Sequence, residues 1–385
     1  MGTTLVLPIR EFLLAGLTSA VITFLLVGPV RALALRLGAV AWPRNRDVHV
    51  TPTPRWGGLA MLGGVLAGVG MAYQLPALRL AFDYYPTEVF GIVGAAVLLS
   101  AVGALDDRYE LDALTKLAGQ VTAAGILVLC GVVWLVFWVP WGGGGTGVSW
   151  SLIILGQEQG VLLTVLITVA MVNAMNFVDG LDGLAAGIGM IAAMATGLFA
   201  IGLVLRPDVG NDPSVYSPAL IAAVLAGACL GFLPHNFNPA RIFMGDSGSM
   251  LIGLLLAAIT TSESAKIVNT GADGTDALAL LAPLIVLAAV LFVPLLDLLM
   301  AVVRRTRKGM SPFAPDKMHL HHRLLEIGHS QRRAVLLIYL WAGVLAFGAV
   351  ALALIDDPIV VLWTVGIGLV VAVLATAVPR AARTR

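Results

Sequence analysis

The sequence predicts an all-α, polytopic integral membrane protein, and three observations lead to this fold class. Hydrophobic residues make up 59% of the 385 residues and charged residues only 12%, with a mean hydropathy of +0.95, whereas soluble domains carry roughly 25% charged residues. The apolar residues are gathered in stretches separated by short polar segments. Most basic residues, and the Asp, Asn and His residues that suggest chemistry, fall in alternate segments. The chain is therefore expected to cross a membrane repeatedly and to keep its polar groups on one side.

Each apolar stretch is predicted to be a transmembrane helix. About 20 apolar residues cross a hydrocarbon core of about 30 Å, and unpaired backbone groups are not tolerated in lipid. The two shortest stretches, 218–233 and 249–262, are expected to be tilted, broken or partly buried in protein. The whole chain, 1–385, is expected to form one polytopic domain. The predicted spans, about eleven, are 11–31, 57–75, 87–105, 116–138, 157–175, 184–205, 218–233, 249–262, 277–303, 334–354 and 358–378.

The charges between the spans predict the orientation. Arg10, Arg79, Arg206 and Lys266 fall on one side, and the remaining 19 of the 23 Lys and Arg residues fall on the other. The side richer in basic residues is cytoplasmic by the positive-inside rule. The N-terminus is therefore expected outside the cell membrane and the C-terminus in the cytoplasm.

The first candidate site follows the third predicted span, where Asp106 and Asp107 are adjacent and Lys116 comes shortly after them. Two neighbouring carboxylates at a membrane surface repel each other, so one is expected to hold a proton or to share a cation. Such a pair suits proton abstraction or metal binding. The alternative is an ordinary solvated turn.

A second candidate site follows the fifth predicted span. Asn173, Asn176, Asp179 and Asp182 recur every three residues, so they lie near one face while the segment stays helical. Carboxylate and amide oxygens are the ligands that Mg²⁺ prefers, with water and substrate phosphates completing the set. The alternative, helix capping and turns, accounts for one or two of these residues.

The segment 234–248 offers a third candidate site. Asp246 stands between Gly245 and Gly248 just before a predicted helix. Backbone N–H groups at the start of that helix could face a phosphate while Asp246 holds the cation that bridges it. The alternative is that Asp246 or Ser247 simply caps the helix.

The segment after the ninth predicted span combines a basic run, 304–308, with His319, His321 and His322. A tetrahedral zinc site is disfavoured because no cysteine lies nearby and only His235 could supply a further ligand. A polyanion is the better candidate ligand. The basic run alone is also explained as a positive-inside anchor.

Taken together, these motifs resemble those of the polyprenyl-phosphate N-acetylhexosamine-1-phosphate transferase family. The family carries the Asp pair, an Asn-x-x-Asn-x-x-Asp-Gly-x-Asp-Gly loop, a Phe-Met-Gly-Asp-x-Gly-Ser loop and a late His-rich loop in this order, and the resemblance covers residues 42 to 325. The His-Leu-His-His form at 319–322 resembles the bacterial branch that uses UDP-N-acetylglucosamine. The branch that uses UDP-N-acetylmuramoyl-pentapeptide usually has three consecutive histidines and a Thr-Pro-Thr-Met-Gly-Gly string, whereas 53–58 here reads Thr-Pro-Arg-Trp-Gly-Gly.

The resemblance implies an enzyme that transfers N-acetylglucosamine-1-phosphate from UDP-N-acetylglucosamine to undecaprenyl or decaprenyl phosphate. It implies Mg²⁺, or Mn²⁺, held by Asn176 and Asp246, with Asp106, Asp107 and Asp246 in catalysis. Asp179, Asp182 and Asn236 would hold the uridine, Phe243 would stack on the uracil, and Asn173 and Lys116 would also contact substrate. The diphosphate and sugar would meet His319, His321, His322 and Arg323.

The implied setting is the bacterial plasma membrane with the site on its cytoplasmic face. The expected partners are the nucleotide sugar, the lipid carrier and the bilayer, with a homodimer as an option and no nucleic acid. The runner-up is the phospho-N-acetylmuramoyl-pentapeptide transferase. A cation-coupled transporter is the alternative of another class, but it would place its polar residues near the bilayer midplane rather than at one face.

Overall fold

A computed structural model describes residues 8–42, 52–139, 151–205, 213–269, 330–355 and 357–377, with the isolated positions 285, 288, 306 and 307. Within these ranges, nine helices are long and apolar enough to cross a membrane. The predicted all-α, polytopic fold class is therefore confirmed. The described helices, in chain order, are α1 (Ile9–Leu37), α2 (Gly57–Gln74), α3 (Arg79–Tyr84), α4 (Pro86–Tyr109), α5 (Ala113–Leu129), α6 (Gln157–Val178), α7 (Leu184–Val204), α8 (Tyr216–Asn236), α9 (Gly245–Asn269), α10 (Gln331–Leu354) and α11 (Pro358–Ala377).

Most of the predicted spans coincide with one long helix each, within a few residues at either end. The predicted span 116–138 differs, because α5 has only 17 residues. The chain turns at Gly131, whose φ is +90°, and then enters a strand. The segment 132–139 is rich in valine and aromatic residues, which favour strands over helices. The predicted span 277–303 lies outside the described residues.

Two antiparallel hairpins interrupt the helices. Strand β1 (Val40–Ala41) pairs with β2 (Thr53–Pro54), and β3 (Val136–Val139) pairs with β4 (Ser151–Ile154). The first hairpin lies between α1 and α2. It places β2 beside the segment before α9, because the N–H of Phe243 donates to the carbonyl of Pro54 at 2.8 Å.

Helices α8 and α9 correspond to the two shortest predicted spans, yet they are continuous, with 21 and 25 residues. Helix α9 begins at Gly245 because the Gly-Asp-Ser-Gly string forms its first turn rather than a preceding loop. Within the most apolar window of α9, 94% of the residues are buried. Other helices shield α9 from lipid, which allows it to carry Ser, Thr and Glu.

Helix α9 is the centre of the packing, with α2, α4, α6, α7 and α8 around it. Its approach to α2 is very close, because a Cβ added to Gly58 would lie 2.0 Å from the backbone nitrogen of Gly248. At the far end of α9, Lys266 Nζ donates to Glu88 of α4 at 2.9 Å. Helix α4 is thus fixed along the whole length of α9.

The remaining helices lie further from this centre. Helix α1 packs on α2 and α8, α10 packs on α7, and α11 packs on α10. Tyr339 of α10 donates its hydroxyl hydrogen to the carbonyl of Gly183, at the start of α7. The ends of α4 and α6 and the beginnings of α5 and α9 meet at one end of the helix bundle.

Candidate active site

Four helices contribute one polar cluster, which we call the acidic cluster and define by Asp106, Asp107, Lys116, Asn176 and Asp246. The two aspartates Asp106 and Asp107 lie in the last turn of α4, and Asn176 lies in the last turn of α6. Lys116 and Asp246 lie in the first turns of α5 and α9. Neighbouring helices run in opposite directions, so these ends meet on one side of the bundle.

Lys116 lies between the carboxylates of Asp106 and Asp246 and contacts both. Its Nζ lies 2.6 Å from Asp106 Oδ2 and 2.9 Å from Asp246 Oδ2. The Asp106 side chain is 7% exposed, that of Asp246 23% and that of Lys116 29%. Two carboxylates so poorly hydrated need a cation between them, since a buried unpaired charge is costly. The lysine ammonium is that cation, and it is shared by Asp106 and Asp246 rather than by the adjacent Asp106 and Asp107 as the sequence predicted.

Asn176 holds the other oxygen of Asp246. Its Nδ2 donates to Asp246 Oδ1 at 2.9 Å and to Ser249 Oγ at 3.0 Å. Ser249 lies three residues beyond Asp246 on the same face of α9. Asp246 is therefore held from α5 by a charge and from α6 by an amide.

Asp107 points away from Asp106 and caps helix α9. Its Oδ1 accepts from the backbone N–H of Asp246 at 2.9 Å, and its Oδ2 accepts from the N–H and the hydroxyl of Ser247 at 3.2 and 3.0 Å. A carboxylate at a helix N-terminus satisfies N–H groups that have no partner within the helix. The prediction that these N–H groups face a phosphate therefore needs correction, because the Asp107 carboxylate already occupies that position.

Gly245 makes the contact between α4 and α9 possible. Its φ is +72°, a left-handed conformation that residues with a Cβ rarely adopt. A Cβ at this position would also lie 2.3 Å from Asp107 Oδ2. The glycine thus allows the carboxylate to approach the start of the helix.

The residues around the Asn-x-x-Asn segment do not all converge on Asp246. Asn173 Nδ2 donates to Gln120 Oε1 at 2.8 Å, and Asp182 Oδ2 accepts from Asn238 Nδ2 and from the N–H of Ala240, both at 3.0 Å. Of the four side chains Asn173, Asn176, Asp179 and Asp182, only that of Asn176 contacts Asp246 directly. The segment leaves the helix after Val178, so the three-residue period no longer aligns Asp182 with the other side chains.

Asp179 lies directly beyond the end of α6, and its pKa is shifted by charges of the acidic cluster. Burial raises the pKa of Asp179 to about 7, and the negative charges of Asp107 and Asp246 act in the same direction. Arg55 lowers the pKa of the same carboxyl group. The negative charges of Asp107 and Asp246 therefore outweigh Arg55 in their effect on the pKa of Asp179.

Asn236 is predicted by the family resemblance to hold the uridine, and the structure gives its side chain a different set of partners. It is 3% exposed. Its Oδ1 accepts from the N–H of Gly183 at 2.9 Å, and its Nδ2 donates to the carbonyl of Ile242 at 3.0 Å. Asn236 therefore connects the start of α7 to the segment before α9, which is a positioning role.

Phe243 lies in the segment that Asn236 positions. Its N–H and its carbonyl bond to Pro54 and Gly57, at 2.8 and 3.0 Å. The predicted His319, His321, His322 and Arg323 lie outside the described residues, and their roles stay predictions.

The sequence patterns do not single out several neighbours of the acidic cluster. Ser249 is the last residue of the Phe-Met-Gly-Asp-x-Gly-Ser loop, and Gln120 could have been found because it lies four residues from Lys116 on the same helix. In the sequence, Ser247 is only a possible cap and Arg55 only part of the 53–58 string. The partners of these two residues were not predictable, because they depend on contacts between distant segments.

The acidic cluster offers oxygen ligands to a hard divalent cation. Within the described ranges, no group of three or more His, Cys, Asp or Glu residues forms a metal-binding set. Mg²⁺ does not require one, because it typically takes one or two carboxylates and completes its shell with water and substrate phosphates. Asp246 and the amide oxygen of Asn176, after rotation of the amide, fit this description, and Lys116 shows that the carboxylates already hold a positive charge. The amide oxygen of Asn176 and the carboxylate oxygens of Asp246 are therefore suitable ligands for the implied Mg²⁺.

The fold and the acidic cluster together define a multi-pass membrane protein with a carboxylate-rich site where several helices end. The sequence profile of glycosyl transferase family 4 matches residues 89–263, which include every member of the acidic cluster. Longer similarities extend to several bacterial proteins.

The chain is 59% identical over 342 residues to the decaprenyl-phosphate N-acetylglucosaminephosphotransferase of Mycobacterium tuberculosis (strain CDC 1551 / Oshkosh), covering 89% of this chain and 82% of the relative. It is 56% identical over 372 residues to the protein of the same description from Mycolicibacterium smegmatis, covering 97% and 89%. It is 34% identical over 335 residues to the probable undecaprenyl-phosphate N-acetylglucosaminyl 1-phosphate transferase of Bacillus subtilis, covering 86% and 83%. The chain belongs to glycosyl transferase family 4 and is a membrane-bound transferase, which confirms the family resemblance.

Proposed function

We propose that this chain transfers N-acetylglucosamine-1-phosphate from UDP-N-acetylglucosamine to a polyprenyl phosphate. A phosphate oxygen of the lipid attacks the β-phosphorus of the nucleotide sugar, the bond between the two phosphates breaks, and UMP leaves. The product is a polyprenyl-diphospho-N-acetylglucosamine. The observation that carries the proposal is the acidic cluster at one end of the helices, in a chain 59% identical to a decaprenyl-phosphate N-acetylglucosaminephosphotransferase.

Mg²⁺, or Mn²⁺, would be held by Asp246 and Asn176. When bound, such an ion neutralises charge on the diphosphate, which is the main requirement of phosphoryl transfer. It would compete with Lys116 for Asp246, because Lys116 Nζ lies 2.9 Å from that carboxylate. If Lys116 lost its contact with Asp246, its positive charge would be available to the diphosphate.

Asp106 is better placed than Asp107 to face the lipid phosphate. Asp107 accepts three hydrogen bonds from the start of α9, so its role is to position Asp246. Asp106 uses one oxygen for the N–H of Leu111 and the other for Lys116. It can orient the acceptor through Lys116 without removing a proton, because a phosphate monoester with a second pKa of about 6 is already mostly ionised near neutral pH.

The nucleotide and sugar contacts rest on the family resemblance. Asp179, Asp182 and Phe243 are proposed to surround the uridine, with Asn236 holding the backbone that carries them. Asn173 is proposed to act through Gln120 of α5, which its amide contacts at 2.8 Å. His319, His321, His322 and Arg323 are proposed to contact the diphosphate and sugar.

The site is proposed to face the cytoplasm of a bacterial cell. The distribution of Lys and Arg supports this orientation, since the spans predicted from the sequence assign 19 of the 23 to the side of the acidic cluster. A lipid phosphate held at the membrane surface can then reach the site while a water-soluble nucleotide sugar enters from the same side.

The test is a reconstituted reaction of the purified protein with UDP-N-acetylglucosamine, decaprenyl or undecaprenyl phosphate, and Mg²⁺. We expect release of UMP and a lipid product whose mass equals that of the polyprenyl phosphate plus N-acetylglucosamine-1-phosphate, both abolished by EDTA and restored by Mg²⁺ or Mn²⁺. Parallel reactions with UDP-N-acetylmuramoyl-pentapeptide should give no product. Product from that donor alone would favour the runner-up, and failure to form UMP with either donor would contradict the proposed transfer.

A further inference from the structure

A second polar cavity lies outside the acidic cluster, at the cytoplasmic end of α1. It has a volume of about 490 Å³ and lies between α1, β2 and the segment that follows α8. This volume falls within the range of about 300–1,000 Å³ that is typical of small-molecule sites. We call it the α1 cleft and define it by Gly28, Arg31, Pro54, His235 and Arg241, which are among the residues that line it.

The α1 cleft is strongly basic. Arg31 Nε donates to the carbonyl of Arg241 at 3.1 Å, so the two arginines are neighbours, and both are exposed. In the part of the chain that the structure describes, neither guanidinium forms an ion pair with a carboxylate. The guanidinium group of Arg31 and the side chain of Arg241, which both line the cleft, favour an anion with several acceptor oxygens, such as a phosphate.

His235 adds a third nitrogen donor or acceptor to the α1 cleft. Its Nε2 is buried and has no hydrogen-bond partner among the described residues. Its ring lies against Phe24 of α1, with ring centroids 4.6 Å apart. A buried polar atom without a partner is unusual in a folded protein. The rest of the His235 side chain is partly exposed and lines the cleft beside the two arginines.

The exposed face of α1 continues the α1 cleft toward the membrane. Leu17, Val21, Phe24, Gly28 and Arg31 follow each other at intervals of four, three, four and three residues, so they lie along one face of the helix. Leu17, Val21 and Phe24 are 60%, 48% and 46% exposed. In a membrane helix, exposed apolar side chains of this kind face lipid tails. An apolar face that leads to a basic cleft complements a molecule with an acyl chain and a phosphate.

The α1 cleft is separate from the acidic cluster. Helix α1 packs on α2 and α8, whereas the acidic cluster is built from α4, α5, α6 and α9. The two places are close in sequence, because Arg241, in the segment between α8 and α9, lines the cleft and Asp246, in the first turn of α9, follows five residues later.

We infer that the α1 cleft binds the headgroup of an anionic phospholipid of the inner leaflet. Arg31 and Arg241 bind the phosphate, His235 lines the site beside them, and one acyl chain lies along Phe24 and Val21. A basic pocket beside a transmembrane helix on the cytoplasmic side is suited to such headgroups. The inference does not depend on the proposed transfer reaction.

The test counts phosphatidylglycerol molecules on the full-length protein. Purified protein in a neutral detergent is titrated with phosphatidylglycerol, phosphatidylcholine or inorganic phosphate, and native mass spectrometry reports the number retained and the apparent affinity. We expect one phosphatidylglycerol per chain bound preferentially. Arg241→Gln should weaken its binding about tenfold or more, because a hydrogen bond to a charged group is lost.

Gly28→Leu is the second variant. A Cβ at Gly28 meets nothing within 4 Å, so the leucine projects into the α1 cleft without a clash, and leucine favours a helix more than glycine does. The folded variant should also lose phosphatidylglycerol. Arg36→Gln is the matched control, since Arg36 is an exposed arginine on the same helix, about 140° around its axis from Arg31. It should bind as the wild type does.

Four outcomes would overturn the inference. Equal retention of phosphatidylcholine would mean that the negative charge is not recognised. Full binding of inorganic phosphate at the same concentration, with competition against phosphatidylglycerol, would identify a free-phosphate site. Unchanged binding in Gly28→Leu would place the lipid elsewhere. Weaker use of polyprenyl phosphate by Arg241→Gln, with phosphatidylglycerol binding unaffected, would assign the α1 cleft to the acceptor.

Discussion

At the residue scale, Asp107 and Asp106 are adjacent in sequence and have different partners. Asp106 pairs with Lys116, while Asp107 accepts three hydrogen bonds from Asp246 and Ser247. Their side chains therefore separate instead of sharing one ligand. Asp107 is a positioning residue, because it acts on the metal-ligand candidate Asp246 through the backbone of α9.

Asp107→Ala should destabilise the protein and lower its activity together. The substitution leaves two backbone N–H groups without their acceptor and the Ser247 hydroxyl with only the carbonyl of Met244 at 3.3 Å, at a cost of about 1–3 kcal/mol. Thermal unfolding in detergent and the rate of UMP release measure the two effects. Asp83→Asn serves as a control, since its exposed ion pair with Arg79 spans 3.8 Å and is worth at most about 1 kcal/mol. An Asp107→Ala variant as stable as the control would contradict the capping role.

The raised pKa of Asp179 predicts how the stability of the metal-free protein depends on pH. Its pKa is raised to about 7 in the folded state from an ordinary 3.8, so the folded state binds more protons than the unfolded state between these values. The contribution of Asp179 to stability therefore falls as the pH rises from about 4 to about 7. Melting temperatures across this range should fall less steeply in Asp179→Asn than in the wild type. Parallel curves would contradict the assignment.

The candidate site was predictable in part. Asp106, Lys116, Asn176 and Asp246 are evident from sequence motifs, and the structure brings their side chains together. The local patterns did not show that Asp107 caps α9 or that Asn236 holds Gly183 and Ile242. Both depend on contacts between segments distant in the chain, which neither helical periodicity nor residue type specifies.

At the element scale, the contact between α2 and α9 keeps the start of α9 in place. Gly58 and Gly248 allow the two backbones to touch, and Gly58 bonds through its N–H to the carbonyl of Met244 at 2.9 Å. The helical spans were predictable because about 20 apolar residues in sequence are sufficient evidence for one. The hairpin after α5 was not predictable from hydropathy. The burial of α9 was not predictable either, since hydropathy does not distinguish apolar surroundings of lipid from apolar surroundings of protein.

Gly58→Ala should separate α2 from α9. The added Cβ would lie 2.0 Å from the nitrogen of Gly248 and 2.3 Å from its Cα, and overpacking of this kind costs about 1–3 kcal/mol. Gly70→Ala is the matched control, because it is the same substitution in the same helix and its Cβ meets nothing within 4 Å. We expect a lower melting temperature and slower turnover only in Gly58→Ala. Equal behaviour of the two variants would contradict the close contact.

At the scale of the whole molecule, the charge asymmetry and the position of the acidic cluster define the expected orientation. The fold class follows from composition, and the order of the motifs along the chain is specific enough to indicate the family. The number of spans does not follow as securely, since α5 is shorter than its predicted span and 277–303 lies outside the described residues.

The orientation predicts which positions an impermeant thiol reagent reaches in intact cells. Single cysteines are placed at Asp83 and at Leu114, whose side chains are 54% and 75% exposed, in a chain lacking Cys130 and Cys229. Asp83→Cys should be labelled from outside, because it lies at the opposite end of the bundle from the acidic cluster. Leu114→Cys, beside the cluster, should be labelled only after the cells are opened. The reverse pattern would put the site on the outer face, away from cytosolic nucleotide sugars.

The most direct measurement compares UMP release by the wild type and by Asp246→Asn, both purified and supplied with UDP-N-acetylglucosamine, polyprenyl phosphate and Mg²⁺. Asp246 receives Lys116 and Asn176 within 2.9 Å, so the loss of its charge would remove a carboxylate ligand of the proposed metal ion. We expect a folded variant, shown by its unchanged elution in size-exclusion chromatography, that has lost more than about nine tenths of the wild-type rate, or roughly 1.4 kcal/mol of transition-state stabilisation. A rate above about a tenth of the wild-type value would contradict the assignment of Asp246 to the metal-binding catalytic site.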